Sequence, residues 1–353
     1  MKLYQALFFA FMFVLVGCAS TQTAMPTPQN KPKNIPTVAL VLGGGGAKGF
    51  AHVGVLKALE GSGIKPDVIV ASSAGAIVGT LYASGKSAEE LETLALTTNE
   101  NALLDPVYSK QGLFAGDKLR AFINEQTGHK NLENLPIKTA IVATDNQSGE
   151  RMVFTTGETG LIVQASSAIP KLFIAPRIPD KYGKKYSDGG QVSLVPSVVA
   201  RELGADVVIA VNVLNDKTTN ANNIKINQDS TGISATFGNK TAYIPVDLAV
   251  LKETPLPFGL SLDKIIGSLP SEIALPKQVN FWQILDGGGV MSEADKLASD
   301  IIITPDLSQF NVINNRDKRA MITKGEQAAL MQLDGIKNLL KNYTNSPRDI
   351  SVK

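Results

Sequence analysis

The chain has 353 residues, 44% of them hydrophobic, and a formal net charge of +2. That length suffices for one large α/β domain with a sizeable core, and so small a charge gives no basis for a nucleic-acid surface. A single cysteine excludes an internal disulfide framework, and only two histidines, His52 and His129, are present.

The first residues read as a leader. Lys2 supplies a weakly positive start and Ala6 to Val16 an apolar stretch, too short to span a bilayer, which takes about 20 residues. The stretch ends in Leu15-Val16-Gly17-Cys18, which resembles a bacterial lipobox, and the only cysteine of the chain falls at this point. Diacylglyceryl and acyl chains on Cys18 would anchor the protein, each buried methylene contributing about 0.8 kcal/mol. Ala19 is not the aspartate that resembles an inner-membrane retention signal, so the expectation is an outer-membrane lipoprotein of the cell envelope facing the periplasm. Residues 18–36 are rich in Pro, Thr and Asn and form a predicted tether.

From Thr37 the pattern changes to that of a folded domain, expected over 37–345. Val38 to Leu42 is a continuous apolar run, as in a buried parallel strand. A glycine loop follows, Gly43 to Gly49, and then a helix from Phe50 to Gly61, broken by Gly63 and Pro66. Asp67 to Ala71 is the next strand and Ala74 to Ala83 the next helix. This alternation predicts a three-layer α/β sheet. Strands follow at Lys138 to Ala143 and Arg151 to Thr155, then a helix at Thr159 to Ala168. Beyond Asp188 come a helix (Pro196 to Leu203) and strands at Asp206 to Asn212 and Ile301 to Thr304. Lys318 to Leu340 closes the domain as a helix, with breaks expected near Gly325 and Gly335. Residues 214–277 lack clean periodicity and read as an insertion. Within them Leu262, Ile265, Ile266 and Leu269 make an amphipathic stripe that suits a helix packed on the core or a lid over the site.

Three local patterns carry chemistry. Val70-Ala71-Ser72-Ser73-Ala74-Gly75 places Ser73 on a tight strand-to-helix turn, where its hydroxyl is pushed out of the backbone. Upstream, Gly44-x-Gly46-x-x-Gly49 matches a dinucleotide fingerprint, but the acid that would hold a ribose should close the second strand, whereas Asp67 opens it. A phosphate-binding P-loop fails as well, since Lys48 precedes Gly49 and Phe50. Consecutive glycines instead suit an oxyanion hole with Gly44, Gly45 and Gly46 as donors, and Lys48 in a supporting role. The nucleophile needs a base. No histidine lies beyond His129, in a polar turn, and His52 sits on a helix that should pack beside the sheet. Asp188, before Gly189 and Gly190, is the remaining candidate, although Asp-Gly-Gly alone is an ordinary turn. Together the patterns read as a serine acyl hydrolase.

Taken together these motifs resemble the patatin-like phospholipase family in its bacterial lipoprotein form. The family's oxyanion loop and the helix behind it match Gly44-Gly45-Gly46-Ala47-Lys48-Gly49 and Ala51-His52-Val53-Gly54-Val55-Leu56. Its elbow matches Ala71 to Gly75, and its Asp-Gly-Gly matches Asp188 to Gly190. Ala165-Ser166-Ser167-Ala168-Ile169-Pro170 looks like the segment before the last active-site strand. The resemblance implies a three-layer α/β/α fold with a mainly parallel sheet and a Ser73–Asp188 dyad. It further implies hydrolysis of phospholipid or other lipid esters through an acyl-enzyme, of phospholipase A, lysophospholipase or esterase type, with no metal and no cofactor, and a structural His52. Two residues depart from the pattern: Ala71 replaces the first elbow glycine, and Lys171 stands where many relatives have glycine. Ala71 motivates an alternative, a catalytically weak envelope lipoprotein that binds lipid or a partner protein.

Overall fold

The computed structural model describes residues 35–107, 109, 111–214, 224–229, 232–237, 240–245, 290–310 and 317–345. Cys18, the leader and the tether lie outside these residues, as does the 262–269 stripe. The elements in chain order are β1 (Val38–Leu42), α1 (Phe50–Gly61), β2 (Val68–Ser72), α2 (Ala74–Ala83), α3 (Ala88–Thr97), β3 (Gly112–Phe114) and α4 (Asp117–Gln126). They continue with β4 (Lys138–Asp145), β5 (Arg151–Phe154), α5 (Thr159–Ser166), β6 (Lys171–Phe173), β7 (Arg177–Ile178), β8 (Lys184–Asp188), α6 (Ser197–Glu202) and β9 (Val207–Val211). Last come β10 (Ile224–Asp229), β11 (Gly232–Phe237), β12 (Lys240–Pro245), α7 (Glu293–Ala298), β13 (Ile301–Ile303) and α8 (Lys318–Asn345).

Every residue of β1, β2 and β9 is buried, which is why these strands read as unbroken apolar runs. The main sheet runs β13–β9–β1–β2–β4 with all neighbours parallel. One face, carrying Leu40, Leu42, Ile69, Ala71, Ile141 and Ile209, packs under α1, α2, α3, α5 and α8. The other, carrying Val41, Val70, Val142 and Val208, packs under α6 and the chain before it. The result is the expected α/β/α arrangement.

The far side of β4 explains how the site is assembled. β5 and β8 both pair antiparallel with β4. Ile141 and Val142 are shared by β2 and β5, whereas Ala143 and Thr144 are shared by β5 and β8. A strand has only two edges, so β2 and β8 lie on the same edge of β4 and meet end to end. β2 stops with Ser72 opposite Val142, and β8 stops with Asp188 opposite Ala143. The residue after β2 and the last residue of β8 therefore arrive at one point.

The final helix corrects the sequence reading. α8 runs unbroken through Gly325 and Gly335. A glycine inside a helix costs about 0.5–1 kcal/mol relative to alanine, and at Gly325 the reason for it is packing. A Cβ there would lie 1.9 Å from the Ala51 carbonyl oxygen, and one on Gly54 would lie 1.8 Å from that of Ile322. The paired glycines let α1 and α8 cross with backbones in contact. The insertion also holds more order than its composition suggested: β10, β11 and β12 form an antiparallel three-stranded sheet. Among the described residues no helix is long and apolar enough to cross a membrane.

Candidate active site

Ser73 is the hinge between β2 and α2. Its backbone takes φ 51° and ψ −123°, a region that costs a residue with a side chain of order 1–3 kcal/mol. α2 starts at once, and the Ala76 amide closes on the Ser73 carbonyl at 2.8 Å. Gly75 permits this approach, since a Cβ there would sit 2.1 Å from the Leu42 carbonyl oxygen. The Ala71 departure is absorbed in the core. Its methyl group faces Gly79 of α2, and even a Cβ added to Gly79 would meet it at an ordinary 3.5 Å.

The Ser73 hydroxyl donates to Asp188 Oδ2 at 2.6 Å, and the other carboxylate oxygen accepts from the Gly190 amide at 2.8 Å. Asp188 is 2% exposed. Burial pushes its pKa up to about 6, while the Ser73 hydroxyl and the Gly190 amide restrain the rise. Gly189 packs against β4, where a Cβ would lie 2.1 Å from the Val142 carbonyl oxygen. Backbone contacts hold the acid in place: the Asp188 amide donates to Ala168, and its carbonyl accepts from the Thr144 hydroxyl.

The glycine loop reaches the same point, with Gly44 packed so close that a Cβ on it would meet the Ser73 Cβ at 3.3 Å. Its amides divide in a way the sequence reading did not foresee. The Gly44 amide is committed to the Leu194 carbonyl at 2.9 Å and so is not a free donor, as is the Gly43 amide to Val211. Gly44 serves as space beside Ser73. The amides of Gly45 and Gly46 have no acceptor among the described residues. Gly46 adopts φ 53°, which turns the chain into the short helical turn before α1. Gly49 lies against Ala74, where a Cβ would come within 2.6 Å of the Ala74 Cβ. Lys48 is buried at 2% exposure, so it belongs to the scaffold of the loop rather than to a solvated surface.

Neither histidine touches the serine hydroxyl. His52 is fully buried on α1 and its Nε2 meets the Gly43 carbonyl at 2.8 Å. Burial lowers its pKa to about 4, so the ring is neutral and Nε2 carries the proton it donates to Gly43. It braces the first residue of the glycine loop. His129 is exposed just past α4, with φ 56°. Asp67 lies at the opposite end of β2 from Ser73, its carboxylate accepting from the Val38 amide, which removes the dinucleotide reading. Among the described residues no three His, Cys, Asp or Glu side chains gather as a metal site requires.

Residues 40–201 match the family model described as patatin-like phospholipase. That segment of the chain is similar to a patatin-like phospholipase domain. Human patatin-like phospholipase domain-containing protein 6 is 34% identical over 183 residues, which is 50% of this chain and 13% of that protein. An NTE family protein of Mycobacterium tuberculosis is 36% identical over 194 residues, 54% of this chain and 53% of that one. The chain thus spans a small part of the first relative and about half of the second. Among solved structures, VipD from Legionella pneumophila superposes with a TM-score of 0.53 at 14% identity, over 86% of this chain and 67% of VipD. At that identity the likeness concerns the fold.

Lys171 explains its own departure from the patatin-like pattern. It opens β6 at φ 69°, in the left-handed region where glycine is at ease. Lys171→Gly is expected to raise stability by about 0.5–1 kcal/mol, the relief of strain exceeding the entropy lost by glycine. A urea midpoint that falls, at unchanged slope, would show that the lysine stabilises its place.

Proposed function

We propose that the chain is a serine acyl hydrolase that cleaves carboxylic esters of lipids, with Ser73 as nucleophile and Asp188 as general base. The observation that carries this reading is the 2.6 Å hydrogen bond from the Ser73 hydroxyl to a buried carboxylate, beside a loop in which the Gly45 and Gly46 amides have no acceptor among the described residues. In the first half-reaction Asp188 takes the Ser73 proton as Oγ attacks the ester carbonyl carbon. The carbonyl oxygen becomes an oxyanion, for which Gly45 and Gly46 are the loop donors; losing one such donor costs about 2.7–4 kcal/mol. Collapse breaks the ester bond, and the leaving alcohol takes the proton from Asp188. Water then repeats the sequence on the acyl-serine and frees the fatty acid. A buried carboxylate with its pKa raised to about 6 is ionised and able to accept a proton above that pH, yet basic enough to hold the proton until the leaving group takes it, which suits both directions of transfer. The family of the domain supports a phospholipid or related lipid ester as substrate.

The pH dependence follows from Asp188. Its protonated form cannot accept the serine proton, so kcat/KM on a short p-nitrophenyl ester is expected to fall about tenfold per unit below pH 6 and level off above it. A limb centred near 7 that disappears in a histidine variant would point to another base.

We also infer that the mature protein is a lipoprotein held in the cell envelope through acylated Cys18, on the outer membrane facing the periplasm. The lipobox-like Leu15-Val16-Gly17-Cys18 supports this, and an enzyme tethered beside the bilayer shares a surface with a lipid substrate. Mass spectrometry of the mature N-terminus is expected to find a diacylglyceryl-modified cysteine. A retained leader or a free thiol would remove the anchor.

A further inference from the structure

We propose that Ser166 is a positioning residue for the nucleophile. The inference rests on the dyad reading above and assigns a role that reading does not require. Ser166 is the last residue of α5 and is fully buried. Its hydroxyl accepts from the Ser73 amide at 2.9 Å and donates to the Val142 carbonyl at 2.6 Å. Ser72 is the last residue of β2 in register with Val142. One residue further on the two chains separate, and the Ser166 hydroxyl stands between a donor on one and an acceptor on the other. It lets β2 peel off β4 into the elbow with both buried backbone groups paired.

The same short segment holds the base. Two residues after Ser166, the Ala168 carbonyl accepts from the Asp188 amide at 3.0 Å. Ser166 thus grips the backbone of Ser73 and Ala168 that of Asp188, so the turn after α5 sets the separation between Oγ and Oδ2. A strained backbone such as that of Ser73 keeps its geometry only where its neighbours over-determine it, and Ser166 is the side chain bonded to its amide. Removing the hydroxyl leaves the buried amide unpaired and lets Ser73 relax away from the carboxylate.

The test measures Ser166→Ala, Ser166→Thr and Ser73→Ala on a short p-nitrophenyl ester, with the rate of fluorophosphonate labelling and a circular-dichroism melt for each. Ser166→Ala is expected to lower kcat and the labelling rate together by about 100-fold, with KM within twofold, since a displacement near 1 Å can cost that much. Ser166→Thr, which keeps the hydroxyl, is expected to restore most of that loss. If Ser166→Ala does not fold, Ser166→Cys fills the same space with a poor hydrogen-bonding atom and is expected to show the same drop in kcat. Unchanged kcat in the folded variants, or a loss that only tracks the folded fraction, would overturn the assignment. A Ser73→Ala variant that still hydrolyses the ester would instead overturn the dyad, whatever Ser166 does.

Discussion

Ser73→Ala is expected to abolish ester hydrolysis, by at least about 10⁴-fold, and fluorophosphonate labelling with it. In the proposed mechanism the hydroxyl is the group that attacks, and no neighbour replaces it. Among the described residues the neighbouring hydroxyls are engaged or buried: Ser166 bridges the Ser73 amide and the Val142 carbonyl, Ser167 donates to the Ser73 carbonyl, and Ser72, the last residue of β2, is buried beneath Gly189. The fold should survive, because alanine in this place inherits the same backbone strain and leaves Asp188 its bond to the Gly190 amide. Turnover within tenfold of the wild type, in a preparation free of other esterases, would remove Ser73 as nucleophile.

Asp188→Asn is expected to act in opposite directions on activity and on stability. An amide cannot accept the serine proton, so turnover should fall to the level of Ser73→Ala. In the folded protein the carboxyl group titrates near 6, above its ordinary value of 3.8. The folded state therefore holds the proton more tightly than the unfolded state. Its contribution to stability is complete below about pH 4, declines as pH rises from about 4 to 6, and is lost above that, whereas a side chain that never ionises loses nothing. A shift of this size corresponds to about 3 kcal/mol. At pH 8 the asparagine variant is thus expected to be more stable than the wild type, by up to about that amount, and the gain should vanish near pH 4. Urea unfolding at the two pH values reads it directly. Depressed carboxyls such as Asp145 and Glu158 lose their contribution as pH falls and are common to both proteins, so they cancel in the difference. A variant less stable at pH 8, or one that still turns over, would contradict the role given to this acid.

The parts of the site that were legible in the sequence are those made by local chain geometry. A serine flanked by small residues between an apolar run and a helix can hardly be other than a turn, and Ser73 is one. The base we propose, Asp188, was legible by exclusion, because no histidine follows His129. What sequence could not tell was which amides are engaged elsewhere. Gly44 suits an oxyanion donor by its place in the glycine run, but its amide donates to the carbonyl of Leu194, 150 positions away. Ser166 belonged to a recognisable segment, but the clamp it forms depends on the register of β2 with β4. Other elements do carry signals in the sequence. α3 opens with a capping box, Ser87 and Glu90 exchanging hydrogen bonds across a Ser-x-x-Glu spacing. β11 and β12 are separated in sequence by Gly238-Asn239, a frequent hairpin pair. The unbroken α8 had no such signal, since glycine at a helix crossing and glycine at a helix end look alike until the partner helix is placed.

That crossing ties the end of the chain to its chemistry. α1 carries His52, the brace of the glycine loop, and α1 is backed by Met321, Ile322 and the bare backbone at Gly325. A truncation before Lys318 would strip this support and expose the buried face of α1 to water, so reporter tags and deletions at the carboxyl terminus have to leave this helix whole if they are to preserve the proposed site, whose residues lie more than a hundred positions upstream.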